Sequence, residues 1–505
     1  MIATAPTFFR PRLATREVAL KESAGRRRFL FSSEVLPMFG FAHGGRFNRE
    51  VVPGLGGFNL TPDTAGVQQV YSRRYTRGAR KETQIEVSAN DFLLAALPSW
   101  TERVHLTLRN GRLEARPVPN HTFSIRKAFK ESQEPFSAFM ALSAGVDAHC
   151  MESLGFRIAG HLEWRPPESR DITAGRDLTE SGILTALRNS HPEIVVNEDI
   201  RFVDWNRIRE QLGETTPITN FHVCLQCDDY SVQKSPAAKA LSLENLTSTR
   251  DLFIDALMGI LTLRPVSIML EQVPGFGTSA ECEMLTYKLR LHGYHVSTKV
   301  VHPHKEYEAL TSRARFYLVA SIFPGFEFPE AVGPNTTPIM DLLRDELPNC
   351  RDVSNCKAVQ DGITGVTYST GKSQPPRARH IHEGDTVAPT VTKSQSRQTK
   401  DAVYIATPDG RYLLPSRRAL QRLCEIPDTF MTDHHGDELH AETIGQSVSY
   451  RAHHAIASAL KAHLAANRSG AGSVMVTRSL PSLHVADKAP APAPCAHADS
   501  QLALF

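Results

Sequence analysis

Residues 250–273 read "RDLFIDALMGILTLRPVSIMLEQV". A helical run to Arg264 gives way at Pro265 to a short apolar run that stops at Glu271. The same alternation extends to both sides. Upstream lie "SAFMAL", "DAHCMESLGF", "RIAGHLE", "GILTALRN", "EIVVNEDI", "WNRIREQL" and "FHVCLQC". Downstream lie "AECEMLTYKLRLHG", "YHVSTKVV" and "RFYLVASI". Strands alternating with helices over roughly 190 residues imply an α/β fold with a mainly parallel sheet and helices on both faces. Such sheets bind ligands at the carboxyl ends of their strands. Polar and reactive residues stand where these strands stop. Glu163-Trp164 closes the second, Asp199-Ile200 the third, Cys227 the fourth and Glu271 the fifth.

The flanks read differently. Residues 1–130 carry 21 Lys/Arg against 10 Asp/Glu, whereas the whole chain of 505 residues has a net charge of only +3. Residues 1–30 read as a flexible basic arm and 31–130 as a small β-rich basic module. Within it "ETQIEVS" is a strand, and "NDFLLAALP" is a helix capped by Asn90 or Asp91. "RVHLTLRNGRLEARPV" is a hairpin about Asn110-Gly111. The earlier segment from Glu34 to Pro62 has the same order, a short helix and then two strands, which is a weak sign of duplication. "YSRRYTRGARK", residues 71–81, interleaves aromatics with arginines, a pattern that can follow a phosphate backbone or form a solvated face. Residues 323–410 lose the periodicity. Helical signal returns over 411–464, and 465–505 is an Ala/Pro/Ser-rich tail expected to be disordered. With 41% hydrophobic and 22% charged residues, and no apolar run long enough to span a bilayer, the chain is expected to be soluble. Eight cysteines without framework spacing point to a reducing, cytoplasmic compartment.

"VCLQCDDYSVQKSP", residues 223–236, holds Cys224 and Cys227. A cysteine at a strand end is commonly a small buried hydrophobe. A thioredoxin-like Cys-x-x-Cys would open a helix, and here Cys224 lies inside an apolar strand. A zinc site built on this pair would need a second Cys/His pair at ligand spacing. Cys350 and Cys356 do not supply one, so no metal is expected.

Taken together, these segments resemble the cytosine-C5 DNA methyltransferases over roughly residues 136–464. The family's Pro-Cys-Gln, aromatic, Ser motif matches Gln226-Cys227-Asp228-Asp229-Tyr230-Ser231. Its Glu-Asn-Val matches Glu271-Gln272-Val273, and its Gln-x-Arg-x-Arg matches Thr311-Ser312-Arg313-Ala314-Arg315. "NSHPEIVVNEDIR", "DGRYLLPSRRALQRLCEIPDTF" and "IGQSVSYRAHHAIASAL" follow three further family segments in the same order. The glycine-rich loop after the first strand aligns with Ala141 to Gly145, where only Gly145 remains of the glycines. Gln stands for Pro at Gln226 and for Asn at Gln272 and Gln446.

The resemblance implies a Rossmann-like S-adenosylmethionine-dependent methyltransferase sheet over 131–322. It further implies a small target-recognition domain over 323–410 and C-terminal helices returning over 411–464. It casts Cys227 as a nucleophile that adds to C6 of cytosine, making C5 able to take a methyl group. Glu271 would share a proton with N3, and Arg313 and Arg315 would steady the developing charge. S-adenosylmethionine is the implied donor. Ser143 and Gly145 would let its backbone contacts approach, Glu163 would accept from ribose hydroxyls and Trp164 would stack on adenine. Asp199 and Ile200 would hold the adenine, with Gln226 and Gln446 nearby. Asp228 and Asp229 oppose a thiolate at Cys227 unless they turn away.

The implied partner is double-stranded DNA bound by a monomer with no membrane role, in a prokaryotic, phage or plasmid setting. The target base would be flipped out of the stack. Arg73, Arg74, Arg77, Ser231, Arg377 and Arg379 are the candidate DNA contacts. Alternatives are the same chemistry on tRNA or another RNA, and a catalytically impaired DNA-binding homologue.

Overall fold

The computed structural model describes residues 9–469 except 24, 75–80, 168, 214–216, 232–233, 368, 370, 372, 377–378 and 398–401. Its centre is a seven-stranded sheet of β1 (Ser137–Ala141), β2 (Arg157–Leu162), β3 (Val195–Val196), β4 (Asn220–Cys224), β5 (Ser267–Gln272), β6 (His295–Val301) and β7 (Arg315–Ser321). The spatial order is 3-2-1-4-5-7-6. β1 to β5 pair in parallel, and β7 runs antiparallel to both β5 and β6. β1, β4 and β5 are buried almost throughout, as strands covered on both faces must be.

Alternation along β4 shows the two faces directly. Phe221 stacks on Phe139 and meets Trp205 from the helix Trp205–Leu212. The next residue, His222, meets His453 from the helix Tyr450–Arg468. The helices Trp205–Leu212, Leu252–Leu263 and Ala280–Leu291 pack together, and Val146–Ser153 packs with Ser181–Asn189 and Tyr450–Arg468. The last helix thus returns to the sheet, with Ile456, Ala457, Leu460 and Leu464 fully buried in its core. It runs to Arg468, so residues 465–468, expected as the start of a disordered tail, are helical.

The N-terminal part departs from the expected arm. Ala14–Ala19 pairs antiparallel with Arg103–Arg109, and Arg26–Ser33 with Lys81–Val87, so residues from Ala14 onward are strands of the β-rich module. The helix Asn90–Ala96 is capped by Ala89, not by Asn90 or Asp91; the Asn90 side chain instead accepts from the Arg27 amide. The hairpin turns at Asn110-Gly111, where Gly111 has φ +69°. The suspected duplication has a structural counterpart. Arg26–Ser33, a short 3-10 helix and the hairpin Arg46–Val51/Phe58–Pro62 correspond to Lys81–Val87, the helix Asn90–Ala96 and the hairpin Arg103–Arg109/Arg112–Pro117. Equivalent strands pair with each other antiparallel, so Phe31 faces Ile85 and Leu60 faces Leu113. A separate apolar core fills this module.

Residues 339–426 form small strands and short helices whose core includes Val146 and Cys150 of the helix Val146–Ser153. Among the described residues no helix is long and apolar enough to cross a membrane.

Candidate functional site

Two groups of residues gather at the carboxyl edge of the sheet. The first lies around β1 and β2. Gly145, with φ +96°, starts the helix Val146–Ser153, and a Cβ there would lie 3.2 Å from the backbone of Ala186. The left-handed φ favours glycine, and the close approach adds to the cost of any side chain there. Leu142 adopts φ +57°, a left-handed conformation uncommon for its type. The loop is held by His161 on β2, whose Nε2 donates to the Ser143 carbonyl at 2.7 Å. Ser143 is buried, and its Oγ has no partner among the described residues.

Glu163 follows β2 directly. Its Oε2 is enclosed and unpartnered among the described residues. Burial, aided by the negative field of Asp147, pushes the Glu163 carboxyl up to about 8. The helix Ser181–Asn189 closes over it at Gly182, where a Cβ would lie 2.4 Å from Glu163 Cγ. Trp164 is half-buried beside it. Arg165 pairs with Asp171 at 2.6 Å and Glu442 at 2.8 Å, both buried. That link ties the helix Asp437–Gln446 to this edge of the sheet. Asp199 caps the turn Ile200–Phe202 through the Arg201 amide at 3.0 Å, and its other oxygen lies 3.3 Å from the Arg201 guanidinium. Ile200 is buried. The unpartnered Ser143 Oγ and Glu163 Oε2 fit a donor molecule that offers hydroxyl and amine groups.

The second group lies around β4 and β5. β4 ends at Cys224, so Cys227 stands three residues beyond it, on a loop rather than at the strand end. Gln272 clamps that loop. Its Nε2 donates to the Leu225 carbonyl at 2.9 Å and the Gln226 carbonyl at 3.4 Å, and its Oε1 accepts from the Val273 amide. The extra methylene of Gln over Asn gives the amide this reach. The half-buried Gln226 thus supplies its backbone carbonyl to the clamp. The Cys227 carbonyl accepts from the amides of Tyr230 and Ser231, forming the turn that follows.

Asp229 points away from Cys227. Its carboxylate is saturated by Lys234 at 2.6 Å, Ser242, Ser248 and the Thr249 amide. Asp228 is exposed. Burial pushes the Cys227 thiol up; Arg315 pulls it back toward the thiolate, Asp228 and Glu271 oppose that pull, and Arg313 adds to it. Arg315 Nε lies 2.6 Å from Glu271 Oε1. Burial raises the Glu271 carboxyl, with Arg315 opposing. Arg313 is buried and donates to the Val391 carbonyl at 2.9 Å. Burial lowers its guanidinium to about 10.

The remaining candidates stand on other elements or outside the described residues. Gln446 is exposed at the end of the helix Asp437–Gln446, where Gly445 packs on the Thr392–Lys393 backbone. Arg73 and Arg74 lie on the strand Tyr71–Arg74, paired with Lys81–Val87. Arg379 bonds the Thr390 carbonyl within its own region. Arg77 and Arg377 lie outside the described residues. Sequence reasoning missed His161 as the brace of the first loop, and the Arg165–Asp171–Glu442 link. The signal available for the latter was only charge type, since Glu442 lies 277 residues from Arg165.

No protein-family model and no curated protein matches the sequence. Solved structures do match in fold, and those described are methyltransferases. The methyltransferase EhMeth of Entamoeba histolytica is 15% identical, with 66% of this chain and 99% of that chain covered, at a TM-score of 0.51. The Dnmt2 methyltransferase of S. pombe is 14% identical over 65% and 99%, at 0.47. A Spodoptera frugiperda DNMT2 variant is 12% identical over 64% and 99%, at 0.47. The likeness to EhMeth is one of fold.

Proposed function

We propose that the chain is an S-adenosylmethionine-dependent methyltransferase acting on C5 of cytosine in duplex DNA, with Cys227 as nucleophile. The observation that carries this reading is the convergence of Cys227, Glu271, Arg313 and Arg315 from the loop after β4, from β5 and from the segment entering β7, with Glu271 and Arg315 in contact. Cytosine C5 is too weak a nucleophile to be methylated unaided. Addition of the Cys227 thiolate to C6 makes the ring an enamine, nucleophilic at C5. Charge then develops on N3 and O2. Glu271, raised by burial, can hold a proton and share it with N3. Arg315 faces both the thiol and this carboxyl, and Arg313 adds a second fixed cation. Asp229, bound elsewhere, leaves the thiolate less opposed than the sequence alone implied. S-adenosylmethionine supplies the electrophilic methyl group. Glu163, Ser143 and the Gly145 turn would hold it, with Trp164, Asp199 and Ile200 at its adenine end. S-adenosylhomocysteine is left behind; a solvent base then takes the C5 proton, the C5–C6 double bond re-forms, and the C6–S bond breaks to return the Cys227 thiolate.

The reading is tested with duplex DNA containing 5-fluorocytosine, offered with S-adenosylmethionine. Fluorine cannot leave as a proton does, so a covalent protein–DNA adduct is expected, lost in Cys227→Ala. Labelled methyl transfer to plain duplex DNA is expected to exceed transfer to tRNA. The absence of an adduct on either nucleic acid would overturn the assignment of Cys227.

A further inference from the structure

Beneath the loop that carries Cys227, three ligand-type side chains meet in the core. Asp147 Oδ2 lies 3.0 Å from His222 Nε2 and 3.1 Å from Cys224 Sγ, and Cys224 Sγ lies 3.2 Å from His222 Nε2. Asp147 and His222 are buried, and Cys224 is nearly so. They come from two elements. His222 and Cys224 are alternate residues on one face of β4, and Asp147 stands in the first turn of the helix Val146–Ser153.

Three distances of this size are near the edge lengths of a coordination tetrahedron. Metal–ligand bonds of about 2.0 Å to N and O and about 2.3 Å to S put neighbouring donors roughly 3.3–3.5 Å apart. A shift of a few tenths of an ångström would admit an ion at the centre.

A second observation points the same way. His453, fully buried on the helix Tyr450–Arg468, packs edge-on against the His222 ring with centroids 5.0 Å apart. Its Nδ1 lies 3.4 Å from the Tyr317 hydroxyl, while its Nε2 has no partner among the described residues. A buried imidazole nitrogen without a partner can serve as a metal ligand.

We propose that Asp147, His222 and Cys224 hold a divalent cation of the zinc class, with the His453 ring packed beside them. The mixed O, N and S donor set suits a borderline-soft ion and not magnesium or calcium, which take oxygen. The charge balances as well: a carboxylate and a thiolate neutralise a dication, so the filled site adds no net charge to the core. Binding releases the Cys224 thiol proton to solvent. The ion would join the nucleophile strand and the helix after the first loop. This inference does not depend on the methyltransferase reading.

The test uses the full chain purified without a histidine tag. Metal content is measured after growth with zinc and dialysis, and cobalt(II) is then exchanged in. One ion per chain is expected, with the near-ultraviolet thiolate-to-cobalt band and the visible bands of a four-coordinate site. Cys224→Ala and Asp147→Asn are expected to lose the ion, and Cys350→Ser to keep it. Because the first two substitutions can also unfold the core, the cobalt spectrum of the wild-type chain stands as an independent measurement. A wild-type chain that takes up neither metal would overturn the proposal and leave a hydrogen-bonded triad. Metal retained in both Cys224→Ala and Asp147→Asn would overturn it equally, since the ion would then lie elsewhere.

Discussion

Replacing Glu163 by Gln isolates the cost of burying a carboxyl at the end of β2. The group ordinarily titrates near 4.5, and in the folded chain burial pushes it up to about 8. Between those values the unfolded chain has lost the proton and the folded chain keeps it. Stability from this group is therefore fully present below about 4.5, falls as pH rises, and levels off above about 8. The slope is about 1.36 kcal/mol per pH unit, or roughly 4 kcal/mol between pH 5 and pH 8. Gln has nearly the same shape and no proton to lose, so its stability lacks this slope. Thermal unfolding of both chains without donor, at constant ionic strength, should show the gap widening in favour of Glu163→Gln from pH 5 to pH 8. For a domain of this size the change is on the order of 10 °C. S-adenosylmethionine should flatten the wild-type curve, because ribose hydroxyls donating to Glu163 would favour its ionised form. Parallel melting curves for the two chains across the whole range would refute the burial argument.

Three further outcomes are expected. Arg315→Ala removes the cation facing both Cys227 and Glu271; methyl transfer should fall about 10²–10³-fold, and alkylation of Cys227 by iodoacetamide should need higher pH. Gln272→Ala frees the loop that carries the nucleophile at about 1–3 kcal/mol for the buried bonds lost, which kinetics should record as a lower kcat with little change in donor KM. Gly145→Ala forces a Cβ toward the Ala186 backbone in a left-handed conformation, and should lower stability by about 1–2 kcal/mol and weaken donor binding measured by calorimetry.

Much of the sheet was legible because burial on both faces writes itself locally. "VSIML" and "SAFMA" are continuous apolar runs, and each maps to a strand buried along its length. Glu163 and Glu271 also stand where expected, since a charged residue ending such a run can reach solvent or a ligand only at the sheet edge. Less was legible at the N-terminus. Ala14–Ala19 shows the exposed, polar pattern of an edge strand, and only its pairing with Arg103–Arg109 makes it one. The cap of the helix Asn90–Ala96 was misplaced because Asn90 spends its side chain on Arg27, more than sixty residues away.

The order of strands and helices, and the residue types at their ends, follow from the chain alone, because periodicity and side-chain chemistry are properties of neighbours in sequence. Tertiary structure decided which charges face which. Asp229 turns from Cys227 toward Ser248 and Thr249, Arg165 reaches Glu442, and Asp147 arrives beside His222 and Cys224 from another element. Electrostatic and coordination energies act through space over a few ångströms, and residues dozens of positions apart reach that range only after the sheet and its helices have packed.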